Sequence, residues 1–441
     1  MNHQRDYALK GVSVLDGTGA PPQHDAVVTT EEGRIAAVLD RRDYRPQAGV
    51  IELDLDGYWC LPGLIDAHVH LAGGRAGIDD QELGVVAEPP IVRAMRSVAD
   101  AQAILKRGFS AVRDISWNGL YLKRIFAEQR IPGPKVIACG PGLTRTGGHA
   151  DLHQFTEEYV DTHGVFGMLA DGTDGMVKAV RRLLREGADA IKIFVSGGDN
   201  WPHDRNADVH YSLAELRAAI EEAHRQTGTI VLCHAENPTA IRLAIEAGAD
   251  TIEHGEGLDD DLIALMIERG IILVPTLELI VNWQRDFMPV AEGARAQMRP
   301  DAFLYRDHYD RPSSREEGRA ASAAAVASYR RALAAGVKIA LGSDTVYEPL
   351  TPYGEYSARE FTALVQHGMS VEQAIVAATS VAAESLGMSH VIGTIEAGKQ
   401  ADLIVVRDDP RRSADVLYNP DNIHLTFCDG ALTVVDGQFV W

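Results

Sequence analysis

The stretch TIVLCHAENPTAIRLAIEAGADTIEHG, residues 229–255, contains the pattern that decides the fold. Apolar and β-branched residues at 229–234 predict a buried strand, and Pro238–Ala247 has the periodicity of a helix. Gly248 follows as a helix stop, and Thr251–His254 predicts a second strand. Strand, helix and strand in this order form a βαβ unit, in which the two strands lie parallel.

The same alternation runs through the middle of the chain. Longer segments of helical period, such as 213–227 and 316–335, separate apolar runs of strand length. The strand candidates are 61–69, 110–115, 135–139, 190–195, 229–234, 251–254, 271–276 and 337–343. Eight such runs predict an α/β fold with a closed (β/α)8 barrel of the TIM type, and an open sheet is the alternative. The connections 140–165 and 282–315 are long enough to cap a site.

The two ends of the chain differ from this middle part. Short β-type runs between Gly, Pro and Asp residues occupy 11–15, 26–28, 34–38, 51–55, 401–406, 425–427 and 431–435. We expect both ends to form one small composite β-sandwich domain. The predicted limits are 1–58 and 391–441 for this composite domain and 59–390 for the barrel.

The composition is that of a globular protein with a sizeable core. The 441 residues are 46% hydrophobic and 24% charged, and the formal net charge is -21. A chain this acidic lacks the basic surface that nucleic acids and anionic membranes require, so neither is an expected partner. The acidity says little about the substrate. Scattered cysteines, no signal-peptide pattern and no apolar run of membrane-spanning length predict a soluble, cytoplasmic protein.

Two histidines end the first predicted strand. His68 and His70 alternate in LIDAHVH, residues 64–70, so both side chains point to one face of the strand. Two converging imidazoles are half of a metal site, although a hydrogen-bonded pair of histidines in a barrel mouth would give the same pattern.

Lys192 lies inside the apolar run AIKIFV, residues 190–195, of the fourth predicted strand. A parallel strand that is covered on both faces should be continuously apolar, and burial of an ammonium group there is costly. Pairing with a neighbouring carboxylate is one explanation. The other is reaction of the amine with carbon dioxide, which gives an anionic group whose two oxygens can bridge two metal ions.

Three more side chains lie at predicted strand ends. His234 closes the fifth run, His254 closes the sixth, and Asp344 closes the eighth in the motif GSD. The ends of strands one, four, five, six and eight meet at the carboxyl-terminal mouth of a barrel, where barrel enzymes have their active sites. A single histidine in such a place is more often structural, but the coincidence of all these residues predicts a metal site.

These residues together resemble the amidohydrolase superfamily of metal-dependent hydrolases. The motifs that carry the resemblance span nearly the whole chain: PGLIDAHVH (62–70), Lys192, His234, His254, GSD (342–344) and GTIEAGKQADL (393–403). Three further motifs are similar to the prolidase-like, or Xaa-Pro dipeptidase-like, branch: IKIFVSGG (191–198), YSLAEL (211–216) and HAEN (234–237).

The resemblance implies a set of ligands for two divalent metal ions. They are His68, His70 and Asp344 for one ion and His234 and His254 for the other. It also implies that carbamylated Lys192 bridges the ions together with a hydroxide, and that Asp344 is the catalytic residue that carries a proton to the leaving amine. Imidazole and carboxylate suit several metals, and zinc is the default.

Three residues are predicted to contact the substrate. By resemblance, Tyr211 hydrogen-bonds a substrate carbonyl or carboxylate, and an amphipathic tyrosine at a helix entry is the alternative. His149 is a similar candidate, because neighbouring glycines let its loop approach a ligand closely. The guanidinium fork of Arg75 suits a substrate carboxylate, and equally an ordinary ion pair.

The predicted function is hydrolysis of an amide bond in a small peptide-like or N-acyl amino acid substrate. Hydrolysis of a cyclic amide, a carbamate or urea, or an organophosphate ester stays open, because one activated hydroxide serves all of them. A mononuclear deaminase would not need Lys192, and a non-catalytic binding protein would tend to lose ligands that are all present here. A homo-oligomer is expected by analogy with the family.

Overall fold

The structure, a computed structural model, describes residues 5–75, 88–153, 155–163, 165–198, 204–286, 314–348 and 351–440. The strands in these ranges are β1 (Tyr7–Val14), β2 (Gln23–Glu31), β3 (Arg34–Asp40), β4 (Ile51–Asp54), β5 (Trp59–Pro62), β6 (Leu64–Arg75), β7 (Phe109–Asp114), β8 (Lys135–Ala138), β9 (Gly142–Thr144), β10 (Gly167–Leu169), β11 (Ala190–Phe194), β12 (Ile230–Ala235), β13 (Thr251–His254), β14 (Ile272–Val274), β15 (Thr345–Glu348), β16 (Leu403–Val406), β17 (Ile423–Cys428), β18 (Ala431–Val435) and β19 (Gln438–Phe439). The helices are α1 (Pro90–Lys106), α2 (Trp117–Ala127), α3 (Glu157–His163), α4 (Gly172–Glu186), α5 (Leu213–His224), α6 (Pro238–Ala247), α7 (Asp260–Arg269), α8 (Leu277–Asp286), α9 (Ser314–Ala335), α10 (Glu355–Gln366), α11 (Val371–Ala377), α12 (Ser380–Ser385) and α13 (Asp415–Tyr418).

Strands from both ends of the chain share one nine-stranded sheet. Its order is β19-β18-β17-β16-β5-β1-β2-β3, and β4 pairs with β1. The two ends meet in the antiparallel pair of β5 and β16, where Leu61 faces Ile404 and Cys60 faces Val405. Main-chain hydrogen bonds therefore hold the two termini together in one layer.

The parallel strands form two further sheets. One has the order β10-β9-β11-β12-β13-β14, and the other has the order β15-β6-β7-β8. Neighbouring strands within both sheets are parallel. Helices connect most of these strands in the chain, so this part of the molecule has the α/β organisation that the alternating pattern predicts.

Backbone hydrogen bonds join the edges of these two sheets. At one edge, the amide of Asp189, just before β11, donates to the carbonyl of Ala138 on β8 at 2.7 Å. At the other edge, the segment 338–341 lies between β14 and β6. There the Ala340 amide donates to Leu273 at 2.9 Å, and the Ala67 amide donates to the carbonyl of Leu341 at 2.8 Å.

The eighth predicted strand, 337–343, is less regular than expected. In the described part of the chain its ladder contact is one isolated parallel bridge between Leu273 and Ile339. The Leu341 amide donates to the carbonyl of Ala377, at the end of α11, at 3.0 Å and so leaves the ladder. The other seven predicted strands overlap β6, β7, β8, β11, β12, β13 and β14.

Two connections between the predicted strands are long. The first, 140–165, contains β9 and α3, and residues 287–313 of the second lie outside the described residues. Helices begin close to the strand ends: the Asn237 side chain caps α6 by accepting from the Ala240 amide at 2.9 Å. No helix among the described residues is long and apolar enough to cross a membrane.

Candidate active site

The four predicted histidine ligands and Asp344 come together at the carboxyl ends of the parallel strands. Asp344 Oδ1 lies 3.0 Å from His70 Nε2 and 3.5 Å from His68 Nε2. The ring centres of His68 and His254 are 5.5 Å apart, and those of His254 and His234 are 4.5 Å apart. All five residues are buried, so they form one continuous polar cluster at the end of the sheet.

Three of these imidazoles have Nδ1 in contact with an oxygen atom outside the cluster. The contacts are His68 with Glu253 Oε2 at 2.6 Å, His70 with the Ile115 carbonyl at 2.9 Å, and His254 with Thr276 Oγ1 at 2.7 Å. A proton on Nδ1 satisfies the contacts with Glu253 and Ile115 and leaves the Nε2 lone pair free. Metal-binding histidines are oriented in this way.

Burial keeps the cluster in the protonation state that binds metal. Removal from water lowers the pKa of His68 and His234 well below the usual value and that of His254 to about 3. Burial alone would raise the pKa of Asp344, but the neighbouring His68 and His70 outweigh that effect and hold its pKa below the usual range. Neutral imidazoles and an ionised carboxylate are the forms that coordinate a cation.

Lys192 is fully buried on β11, and its amine has no hydrogen-bond partner in the part of the chain that the structure describes. Its Nζ lies 5.2 Å from the centre of the Phe194 ring. Burial lowers the pKa of Lys192, against the raising effect of the Glu253 and Asp344 carboxylates. The predicted alternative, direct pairing with a carboxylate, therefore has no hydrogen bond to support it.

Two groups of side chains in this cluster meet the spacing that a metal ion requires. His68, His254 and Asp344 form one group, and His234, Glu236 and His254 form the other, with the ligand atoms of each group within 4.8 Å of one another. Because His254 belongs to both groups, the two candidate positions are adjacent. Glu236, whose Oε1 is 3.7 Å from His234 Nε2, was not predicted as a ligand. Together with the unpartnered amine of Lys192, this donor set fits divalent metal ions.

Unusual backbone conformations aim three side chains at the strand ends. His254, Thr276 and Asp344 have φ values of 69°, 46° and 55°, in the left-handed region that favours glycine. Such conformations cost on the order of 1 kcal/mol or more each and persist where neighbouring contacts fix them. At Asp344 the fixing contact is a hydrogen bond from the Asp344 amide to the His68 carbonyl, at 2.8 Å.

Asp66, inside the first histidine motif, ties that motif to the segment that carries Asp344. Its carboxylate accepts hydrogen bonds from the Ser343 hydroxyl at 2.6 Å, the Ser343 amide at 3.0 Å and the His68 amide at 3.1 Å. The sequence interpretation gave Asp66 no role. The carboxylate fixes the two parts of the candidate site relative to each other.

His149 lies beside the cluster, whereas sequence alone could only place it on a loop. Its ring stacks on that of His234 with centres 4.5 Å apart, and its Nδ1 is 2.7 Å from Asp204 Oδ2. A Cβ atom at position 198 would lie 2.2 Å from the His149 ring, so Gly198 permits this approach. Asp204, which orients His149, was missed because no local pattern pairs the two.

Tyr211 and Arg75 have partners within the protein. The Tyr211 hydroxyl donates to the Ala170 carbonyl at 2.9 Å, and burial raises the pKa of this tyrosine. Both amino groups of Arg75 donate to the Asp100 carboxylate, at 2.8 and 3.0 Å. Contact of either residue with a substrate stays a prediction.

A buried ion pair behind His68 was also missed. Nη2 of Arg113 donates to the two oxygens of Glu253 at 2.8 and 2.9 Å, and both residues are fully buried. The signal that could have found them is the one that singles out Lys192, because both are charged residues inside short apolar runs of parallel strands.

Known proteins share this fold and part of its sequence. Residues 59–433 match the amidohydrolase family, and the chain therefore belongs to that family. Ochratoxinase of Aspergillus niger is 28% identical over 397 residues, which cover 86% of this chain and 77% of that protein.

Two solved structures of dipeptidase-type proteins are similar over almost the whole chain. A prolidase complexed with N-methylphosphonate-L-proline is 29% identical with a TM-score of 0.84, covering 98% of this chain and 100% of that one. A Xaa-Pro dipeptidase with bound methionine is 27% identical with a TM-score of 0.80, covering 97% and 99%. The chain is a metal-dependent hydrolase that cleaves an amide carbon–nitrogen bond in a small molecule.

Proposed function

We propose that this enzyme hydrolyses the amide bond of a dipeptide or an N-acyl amino acid at a site with two metal ions. The observation that carries the proposal is the fully buried amine of Lys192, which has no hydrogen-bond partner among the described residues, beside four histidines and Asp344. Similarity to the prolidase and the Xaa-Pro dipeptidase supports the choice of substrate.

Lys192 is proposed to carry a carbamate between the two ions, which are zinc by default. The neutral amine attacks carbon dioxide, a nitrogen–carbon bond forms, one carbon–oxygen π bond becomes a negatively charged oxygen, and the amine releases one proton to solvent. Burial favours this step because it lowers the pKa of Lys192 and so raises the fraction of neutral amine. The product replaces a buried cation by an anion that can be neutralised by the ions.

Asp344 is proposed to transfer the proton in the reaction. The ions, when bound, lower the pKa of a water molecule and polarise the scissile carbonyl. The water oxygen joins the acyl carbon, the carbon–nitrogen bond breaks, and Asp344 passes one proton of the water to the leaving nitrogen. Contact with His68 and His70 supports this role, since both hold the carboxylate ionised and at a fixed position.

His149 is proposed to hold the substrate carbonyl. The Asp204 carboxylate accepts from its Nδ1, so Nε2 donates to the substrate when the imidazole carries both protons, and its ring stacks on His234. A cationic donor beside the reacting carbonyl stabilises the charge that develops on its oxygen. Tyr211 and Arg75 stay predicted substrate contacts, with the partners described above.

The finer architecture belongs to the same proposal. We infer that the two parallel sheets close into a (β/α)8 barrel, supported by the edge contacts of Asp189 with Ala138 and of Ala340 with Leu273. The nine-stranded sheet supports a composite β-sandwich domain built from both ends of the chain. Its limits, 1–58 and 391–441 around a barrel of 59–390, stay a prediction from the sequence. Homo-oligomeric assembly and a cytoplasmic location are kept as predictions from the sequence.

A substrate panel with metal analysis of the same sample tests the proposed function. The panel contains Xaa-Pro and other dipeptides, N-acyl amino acids, the matching amides without the carboxylate, cyclic amides, carbamates, ureas and phosphotriesters. We expect kcat/KM for the carboxylate-bearing amides to exceed that of their carboxylate-free matches by about 100-fold or more, as for a site built around a polar group. A sample with two metal ions per chain that prefers any other class would overturn the substrate assignment.

A further inference from the structure

A row of buried polar groups extends behind His68 into the interior of the parallel strands. His68 Nδ1 is 2.6 Å from Glu253 Oε2, and Glu253 accepts from Arg113 Nη2 at 2.8 and 2.9 Å. We propose that Glu253 and Arg113 are positioning residues that fix the tautomer and orientation of His68 for metal binding. The proposal rests on the metal site proposed above.

The geometry holds the Glu253 carboxylate from several sides. The three residues lie on β6, β7 and β13, and none is more than 1% exposed. The Thr251 hydroxyl contacts Glu253, and the second amino group of Arg113 donates to the Ser385 carbonyl at 3.1 Å. These contacts fix the position of the Glu253 carboxylate. The carboxylate in turn fixes the orientation of the His68 imidazole.

The orientation of His68 follows from this carboxylate. An acceptor at Nδ1 places the proton on that nitrogen, so the lone pair is on Nε2, which faces Asp344 at 3.5 Å. His70 has a neutral main-chain carbonyl in the corresponding position. A charged acceptor increases the basicity of the imidazole more than a carbonyl does, so His68 is the histidine whose metal affinity depends most on its partner.

Single and double substitutions separate positioning of His68 from simple stability of the core. The variants are Arg113→Met, Glu253→Leu, Glu253→Gln and the double variant Arg113→Met with Glu253→Leu. Zinc affinity is measured by chelator competition, the visible spectrum is measured on the cobalt-substituted chain, and unfolding in urea is measured without metal. The matched control is the ion pair of the exposed Arg181 with the partly buried Glu222, changed to Met and Leu.

We expect Arg113→Met to lower the unfolding midpoint strongly, because it leaves a buried carboxylate unpaired. The double variant regains most of that loss, because well-packed apolar residues replace both charges. Its zinc affinity stays about 10- to 100-fold below that of the unmodified chain, since His68 still has no acceptor. Glu253→Gln keeps an oxygen that can accept from His68 Nδ1, so it should lose less zinc affinity than Glu253→Leu. The control pair should change neither the zinc affinity nor the cobalt spectrum.

Two results would overturn the inference, and they are distinguishable from failure of the proposed function. Zinc affinity within about twofold of the unmodified chain in the double variant, with an unchanged cobalt spectrum, would make the pair purely structural. If Glu253→Gln and Glu253→Leu, once folded, also bind zinc as tightly as the unmodified chain, His68 needs no acceptor. An unmodified chain that binds no zinc would instead overturn the proposed function and the inference with it.

Discussion

Strands β7 and β11 each bury one cationic side chain, and the two are held in different ways. Arg113 on β7 donates to both oxygens of Glu253 and to a main-chain carbonyl. Lys192 on β11 is buried to the same extent but has no hydrogen-bond partner among the described residues. Burial removes both side chains from water, and of the two only the arginine has hydrogen bonds with described residues to compensate. A missing partner, more than burial itself, therefore marks the residue that needs a ligand or a modification.

Removal of the unpartnered amine has the largest expected effect. Lys192→Ala should lose one or both metal ions and about 10³-fold or more of kcat/KM, because the activated water depends on the ions. Lys192→Arg should be equally inactive, since a guanidinium keeps the charge but does not form the carbamate. Metal analysis and steady-state kinetics check both variants, with the exposed Lys178→Ala as the control. Full activity of Lys192→Ala would show that Lys192 is an ordinary lysine of the core with no role in metal binding.

Asp344→Asn tests the carboxylate that contacts His68 and His70. We expect kcat to fall by about 10² to 10⁴, the range for loss of a group that moves a proton. KM should change less, because the amide keeps the size of the carboxylate. The exposed Asp408→Asn is the control. Unchanged kcat at full metal content would remove Asp344 from the chemistry.

Glu360 extends the comparison to a buried carboxyl group that accepts hydrogen bonds from two main-chain amides. It accepts from Leu277 at 2.9 Å and Glu278 at 2.6 Å, and burial raises its pKa to about 8. In the unfolded chain this pKa is about 4.3, so between these two values the folded chain binds the proton more tightly. The free energy of unfolding therefore falls as pH rises through this window, and the contribution of the protonated carboxyl is fully present only below it.

Glu360→Gln removes this titration. The unfolding free energy of the variant, relative to the unmodified chain, should rise by up to a few kcal/mol as the pH increases from about 4.5 to about 8. Urea unfolding of both chains at several pH values across the window measures this difference. If the difference in unfolding free energy between the two chains does not change with pH, Glu360 has the same pKa in the folded and the unfolded chain.

Arg75→Ala is expected to have the smallest effect on catalysis. Both amino groups of Arg75 already donate to Asp100. The KM of the variant for a carboxylate-bearing substrate should therefore stay within about twofold of that of the unmodified chain. The unfolding free energy should fall by about 1 to 2 kcal/mol, because the nearly buried Asp100 loses its partner. A tenfold increase in KM would instead assign the fork to the substrate.

The elements that could be predicted from the sequence are those with a local cause. Apolar runs and helical periods place β11, β12 and β13 correctly, and the histidines at the ends of β12 and β13 need only the direction of the strands. The irregular segment around Leu341 could not be predicted, because its amide bonds to Ala377, far along the chain. Periodicity contains no information about such contacts.

The candidate site shows the same division. His68, His70 and Asp344 were predicted because strand ends converge, whereas Arg75 meets Asp100 only when α1 packs beside β6. Likewise, the stacking of His149 on His234 depends on where a loop folds back. A charged residue in an apolar strand can be identified from sequence, but its partner is fixed by tertiary packing.

The central claim is that Lys192 carries a carbamate between two metal ions. The most direct measurement is ¹³C NMR of the enzyme equilibrated with zinc and ¹³C-labelled bicarbonate, with zinc content and activity determined on the same sample. We expect two zinc ions per chain and a carbamate carbon resonance that is missing in Lys192→Ala. One zinc ion per chain and no such resonance in a fully active sample would contradict the claim.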